Sequence, residues 1–302
     1  MKTVGQLREI LEGAHRLDSH VHTHLCDGKP EMTVESIAAR AREIGLDTVI
    51  LTPHFHKQVR DESETLYTDT DESIFFALRE EINHYEKQCG AVRFLLSAEV
   101  DILSEKGDLS LKLSLKGEEQ LDLVTPTMNY HPLLPLRFVH LTYGKDVDRL
   151  HESGEYQDAA RAIGGVERVL ESMYQTQINA ILHCPYPAML GHFFAAHSVH
   201  PQKYTWFNAK KEHLPLMKEG AMGVIEACRK TKSIMDLTGV HLQKGESVAE
   251  RWQKNDFLTE LQATVLSHCK REKILALAGS DAHRLEAIGR SEAYYRFLLN
   301  RV

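Results

Sequence analysis

Short apolar runs that alternate with helical patterns constrain this chain more than any other feature. The runs fall at about 17–22 ("LDSHVH"), 48–53 ("TVILTP"), 92–99 ("VRFLLSAE"), 121–127 ("LDLVTPT"), 179–184 ("NAILHC"), 222–227 ("MGVIEA") and 274–280 ("ILALAGS"). Each is bounded by polar or turn residues, the form of a strand buried on both faces. Between them lie stretches of helical periodicity. "TVESIAARAREIG" opens on Thr33 as a potential N-cap and stops at Gly45, while "ESIFFALREEINHYEKQCG" and "FLTELQATVLSHCK" carry the same spacing. Strand–helix alternation repeated about seven times predicts a parallel sheet, closed as a barrel or doubly wound.

Two kinds of segment break the rhythm. Residues 102–116 ("ILSEKGDLSLKLSLK") read as a polar hairpin, and long loops run over about 132–165 and 186–208. Long loops in a compact α/β domain usually shape or cover a site. With no repeat, low-complexity tract or linker, a single domain over 1–302 is expected.

The residue that stands out is histidine, 18 in 302 residues against nine prolines. Active sites of parallel barrels form at the carboxyl ends of the strands, and those ends are where the histidines fall. The first expected strand closes on His20 and His22, the second runs into His54, and the third ends at Glu99. The fourth leads through "TMNYH" to His131, the fifth ends at His183, and the seventh runs into Asp281 and His283. The sixth offers Glu226 instead. Alternation along a strand turns His20 and His22 to the same face. Clustered neutral imidazoles need cations between them, and imidazole with carboxylate suits zinc, manganese or iron. A multinuclear divalent-metal site is therefore expected. His24 and His56 read as supporting or substrate-facing residues rather than ligands.

"DSHVHTHLCDG", "TPHFH", "AEVD", "ILHCP" and "GSDAH", in this order, resemble the motifs of the polymerase and histidinol phosphatase (PHP) family. The resemblance covers most of the chain. It implies a distorted seven-stranded (β/α)7 barrel, TIM-barrel-like, with three divalent metals (Zn, Mn or Fe) at its rim. His20, His22, Glu99 and Asp281 would hold one metal, and Glu99 would bridge to a second held by His131 and His183. Asp27, His54 and His283 would hold the third. A metal-bridging hydroxide would attack phosphorus, with Asp281, Glu99 and His283 as the catalytic set. Cys26 and the long loop after His131 look like the histidinol-phosphate phosphatases, although those carry Pro-His where this chain has Asp27. "ILTPHFH" resembles the family's bacterial protein-tyrosine phosphatases.

The expected function is therefore hydrolysis of a small phosphomonoester, histidinol phosphate first. The rivals are phosphotyrosine-protein phosphatase, phosphodiesterase or nuclease activity, and a non-catalytic metal-binding domain. Arg229 and Arg284 are the first candidates for phosphate recognition, ahead of Lys57, Arg137, His197 and His200. Tyr143, Phe193, Phe194, Tyr204 and Trp206 offer surfaces on which an organic leaving group could stack. A net charge of −7 and the lack of a basic, aromatic-interleaved groove argue against nucleic acid as partner. No run approaches the roughly 18 apolar residues of a membrane span. Five scattered cysteines without an export signal fit reduced thiols in a cytoplasmic protein.

Overall fold

A computed structural model of the chain describes residues 1–26, 28–55, 71–111, 113–129, 131–133, 153–193, 210–238 and 257–300. Helix α1 (Val4–Glu12) leads, capped by Thr3. Strands β1 (Leu17–Val21), β2 (Thr48–Leu51), β3 (Arg93–Asp101) and β4 (Leu123–Thr127) then form a four-stranded sheet in chain order, all pairs parallel. Strands β5 (Met189–Leu190), β6 (Ile234–Asp236) and β7 (Ala276–Leu277) form a three-stranded parallel sheet. The expected single seven-stranded barrel is thus two sheets. Isolated backbone bonds, outside the strand ladders, join their edges on both sides. Val124 N–H donates to Pro187 O and Gly191 N–H to Pro126 O, both at 2.9 Å, between β4 and the β5 segment. Ser19 N–H donates to Ala278 O (3.1 Å) and His22 N–H to Ala282 O (3.0 Å), between β1 and the end of β7.

One apolar cluster reaches all seven strands. Ile50, Leu95, Leu123, Met189, Ile234 and Leu277, one each from β2 to β7, pack with Leu7 and Leu11 of α1, and partly buried Leu17 of β1 joins them. Helix α1 therefore plugs the end of the strand layer from which the strands start, and polar residues are left for the opposite end. The outer faces are covered by α2 (Val34–Glu43) and α3 (Ser73–Gln88) on the larger sheet. Helix α4 (Leu115–Gln120) follows, then α5 (Glu155–Ala162), α6 (Gly165–His183), α7 (Leu214–Thr231), α8 (Phe257–Glu272) and α9 (Glu292–Leu299). No helix among the described residues is long and apolar enough to cross a membrane.

Two expected strands are helix. Residues 179–184 fall at the end of α6, whose buried Val169, Leu170, Met173, Tyr174, Gln177, Ala180 and Ile181 repeat every three to four positions. Residues 222–227 lie inside α7, which has Pro215 in its first turn and is closed by Lys232 in a left-handed conformation (φ 59°). The short run "INAIL" has strand composition, but it continues a helical period begun ten residues earlier, and the longer pattern wins. Gly220 is where α7 crosses α6 closely, because a Cβ there would come within 2.1 Å of the Tyr174 ring. The hairpin expected over 102–116 is present in part: Ile102 and Leu109 form an antiparallel bridge, and the segment then enters α4.

Candidate metal centre

Strand β1 sets the site. Asp18 is buried, and its carboxylate accepts the backbone N–H groups of His20 (3.2 Å), Ser280 (2.9 Å) and Gly289 (2.7 Å). It thereby ties β1 to the loop that follows β7. Burial raises the Asp18 carboxyl above its ordinary range, against the pull of these bonds. Two residues on, His20 and His22 share one face and are fully buried.

Glu99 on β3 is the centre of the cluster. Its Oε2 lies 3.0 Å from His20 Nε2, 3.3 Å from His54 Nδ1 and 3.5 Å from His22 Nε2. Its Oε1 accepts a hydrogen bond from Asn129 Nδ2 (3.0 Å) and faces His192 Nε2 at 3.8 Å. A parallel bridge between His54 and Glu99 extends the β2–β3 pairing and places both side chains together. On the far side, Asp281 Oδ1 lies 3.0 Å from His22 Nε2 and 3.8 Å from both His192 Nε2 and His283 Nδ1. The rings pack against each other, His22 on His283 with centroids 4.0 Å apart and His20 on His192 at 4.6 Å.

The electrostatics follow from this arrangement. Burial works to raise Glu99, but His54, His192 and His20 outweigh it and hold the carboxyl well below its usual range. Asp281 is likewise held low by His192, His22 and His20 against the effect of burial. His192 is pushed down by burial, opposed by Glu99 and Asp281. For His20 burial acts downward, yet Glu99 and Asp236 raise it to about 10. The Nε2 proton between His20 and Glu99 is the one a cation would displace.

Among the described residues, three sets of ligand atoms lie within 4.8 Å of one another: His20–Glu99–His192, His20–His22–Asp281 and His22–His54–His283. Ligands about 2.1 Å from a tetrahedral ion sit roughly 3.4 Å apart, and the separations here bracket that value. His192 Nε2 provides an independent test of fit. It is buried, has no hydrogen-bond partner among the described residues, and faces two carboxylates at a distance too long for a hydrogen bond. His192 (φ 54°) and Asp281 (φ 53°) both hold left-handed backbone, which costs on the order of 1–3 kcal/mol each and concentrates at functional sites. The residues present fit divalent metal.

No protein-family model matches the chain, and no curated protein sequence matches it. Solved structures do. A histidinol phosphate phosphatase from Lactococcus lactis subsp. lactis, crystallised with zinc, L-histidinol and phosphate, superimposes with a TM-score of 0.60 at 13% identity, over 95% of this chain and 93% of that one. A putative histidinol phosphatase from Listeria monocytogenes gives 0.62 at 16% identity, over 93% and 100%. The fold is that of the histidinol phosphatases.

Of the residues singled out from sequence, His20, His22, His54, Glu99, Asp281 and His283 converge. Two of the expected metal ligands do not. His183 ends α6 rather than a strand, and its exposed ring bonds the Lys106 carbonyl (3.1 Å). His131 is buried elsewhere: its Nε2 donates to the Val169 carbonyl (2.9 Å) and its Nδ1 accepts the Leu133 N–H (3.2 Å). Both nitrogens are thus occupied, and burial pushes the ring down to about 4. Glu226 and Arg229, expected at a strand end, pair with each other on the exposed side of α7. Arg284 is exposed beside Glu286 (3.6 Å). His24 turns toward Glu81 of α3 (3.4 Å), and Phe193 is core rather than a stacking surface. Asp27, His56, Lys57, Arg137, Tyr143, Phe194, His197, His200, Tyr204 and Trp206 lie outside the described residues.

Three site residues escaped the sequence reading. His192 follows β5, Asp236 ends β6, and Asn129 follows β4. The signals are faint: "AMLGH" and "IMD" are apolar runs of three and two residues closing on a polar one. With these included, each of the seven strands brings at least one polar residue to the same end of the molecule.

Proposed function

We propose that this chain is a metal-dependent phosphoesterase of the PHP type that hydrolyses a small phosphomonoester, with histidinol phosphate the first substrate to test. We read the two sheets as arcs of one distorted seven-stranded barrel; the bonds at both edges and the shared inner cluster support this. The observation that carries the function is the convergence of five imidazoles and two ionised carboxylates at the strand ends. The likeness to a phosphatase bound to zinc, L-histidinol and phosphate directs the choice of substrate.

His20, Glu99 and His192 form one ligand set in this reading, and His22, His54 and His283 a second. His20 appears in two of the three sets while its Nδ1 is engaged by Asp236. It can serve one ion, so a third ion of the kind the resemblance implies needs ligands beyond these. Bound divalent ions would neutralise phosphate oxygens and activate water for attack at phosphorus. The chain's own contribution is placement. Asn129 fixes the Glu99 carboxylate from one side. Asp281 and His283 retain partial exposure, about a fifth of each side chain. They therefore sit where an incoming ester and its leaving-group proton can be handled.

The deciding experiment is phosphate release, with added manganese, from histidinol phosphate, phosphotyrosine, nucleotides, sugar phosphates and one phosphodiester, with Asp281→Asn run in parallel. Release from one monoester that is lost in Asp281→Asn supports the reading. Silence across the panel, with metal bound, moves the assignment to a non-phosphate hydrolase or a binding domain. Release from the diester alone moves it to a phosphodiesterase.

A further inference from the structure

Asp236 belongs to none of the three ligand sets, yet it is fully buried beside them. Its Oδ2 lies 2.9 Å from His20 Nδ1 and accepts from the Thr238 hydroxyl (2.5 Å), and its Oδ1 accepts from the Ser19 hydroxyl (2.9 Å). Three groups from two segments therefore hold both oxygens. The space around this carboxylate is also specified. A Cβ on residue 279 would lie 2.2 Å from Asp236 Oδ1, 2.3 Å from Thr238 Oγ1 and 2.8 Å from His20 Cβ, so glycine is required there for Asp236 to reach His20.

We propose that Asp236 is a positioning residue: it holds the proton of His20 on Nδ1 and so presents Nε2 as the metal-binding nitrogen, toward Glu99 and Asp281. This role rests on the metal-centre reading above. An ionised carboxylate can only accept, so Nδ1, facing Asp236, keeps its proton when a cation displaces the one on Nε2. The other nitrogen then points at Glu99 Oε2 (3.0 Å) and, 4.0 Å away, at Asp281 Oδ1. A carboxylate behind a ligating imidazole orients the ring and raises its basicity, and loss of such a partner typically weakens metal binding roughly 10- to 100-fold. In Asp236→Asn the side chain keeps its shape but gains an N–H₂ donor. Either that donor faces His20 Nδ1 and drives the proton to Nε2, or the weaker amide oxygen replaces the carboxylate.

The test uses the full-length protein labelled with ¹⁵N-histidine and loaded with zinc, which is diamagnetic. His20 is assigned by the signal that His20→Gln removes. The expected wild-type spectrum has a protonated Nδ1 and a zinc-bound Nε2. Zinc titration of Asp236→Asn is expected to show affinity lower by roughly 10- to 100-fold, while its unfolding in EDTA reports any purely structural cost separately. A wild-type His20 that binds zinc through Nδ1 overturns the proposal, even if the variant fails to fold. So does a folded Asp236→Asn with wild-type zinc affinity. Wild-type protein that takes up no divalent ion overturns both this role and the metal-centre reading beneath it.

Discussion

Glu99 would be untenable alone. A fully buried carboxylate without partners costs several kcal/mol, and here it is offset by four imidazoles within 3.8 Å and one amide. The nitrogen that His192 turns to Glu99 makes no hydrogen bond among the described residues. Replacement of His192 should therefore act on metal binding more than on folding. We expect His192→Ala to weaken zinc binding by more than the 10- to 100-fold typical of a lost supporting partner, and His183→Gln to leave it unchanged. Calorimetric zinc titration of both variants checks this, and the opposite ranking would restore the strand-end role first expected for His183. His131 makes a different prediction. Its folded ring titrates at about 4 and an unfolded one near 6.5. Between these values the unfolded chain binds a proton that the native state refuses. Stability from this group is complete above about 6.5, falls as the pH drops toward 4 and then levels, a loss of roughly 3 kcal/mol in all. His131→Gln can still donate to Val169 but does not titrate. Urea unfolding of both proteins at pH 7 and pH 4.5 should show a larger loss for wild type, and equal losses would sink the idea.

At the scale of elements, legibility depended on length. Strands β1, β2, β3 and β4 run four to nine residues, enough for their composition to show, and the residues expected at the ends of β1 to β3 are ones the fold brings together. Asp281 and His283 were also legible, since "GSDAH" follows the apolar run of β7. Strands β5 and β6 are two and three residues long, too short for a period-2 alternation to repeat. The more strand-like sequences "NAILHC" and "MGVIEA" lie in helices, where they supply the apolar face. His131 and His183 were misplaced for this reason: a histidine near a plausible strand end has no local mark that separates a ligand from a core or cap residue. Helix contacts are testable in the same terms. Gly220→Ala brings a methyl into the buried Tyr174 ring, an overpacking cost of about 1–3 kcal/mol that exceeds the helix-propensity gain of at most about 1 kcal/mol. At Gly5 in α1 a new Cβ meets nothing nearer than 4.0 Å, and Gly5→Ala should stabilise by up to about 1 kcal/mol. Denaturant midpoints of the two variants should move in opposite directions.

Across the whole molecule, the candidate centre spans the junction between the two sheets. The set His20–Glu99–His192 takes two ligands from the four-stranded sheet and one from the segment after β5, and His20 is braced from β6 by Asp236. The backbone bonds that join the sheets are few, so an ion held by this set would add a cross-link where the hydrogen-bond ladder is sparse. An ion that binds only the folded chain stabilises it by mass action, about 2.7 kcal/mol at a free concentration 100 times Kd. Zinc or manganese should therefore raise the melting temperature, EDTA should lower it, and His192→Ala should respond less to both. Hydrogen exchange locates the effect. If the ion links the sheets, its addition slows exchange at the β4–β5 junction, at Val124 and Gly191, as well as around His20. Slowing confined to the loops after β1, β2 and β7 would mean that the ion sits at the rim in the His22–His54–His283 set alone, and that the two sheets are held together by the α1 plug and the inner apolar cluster instead.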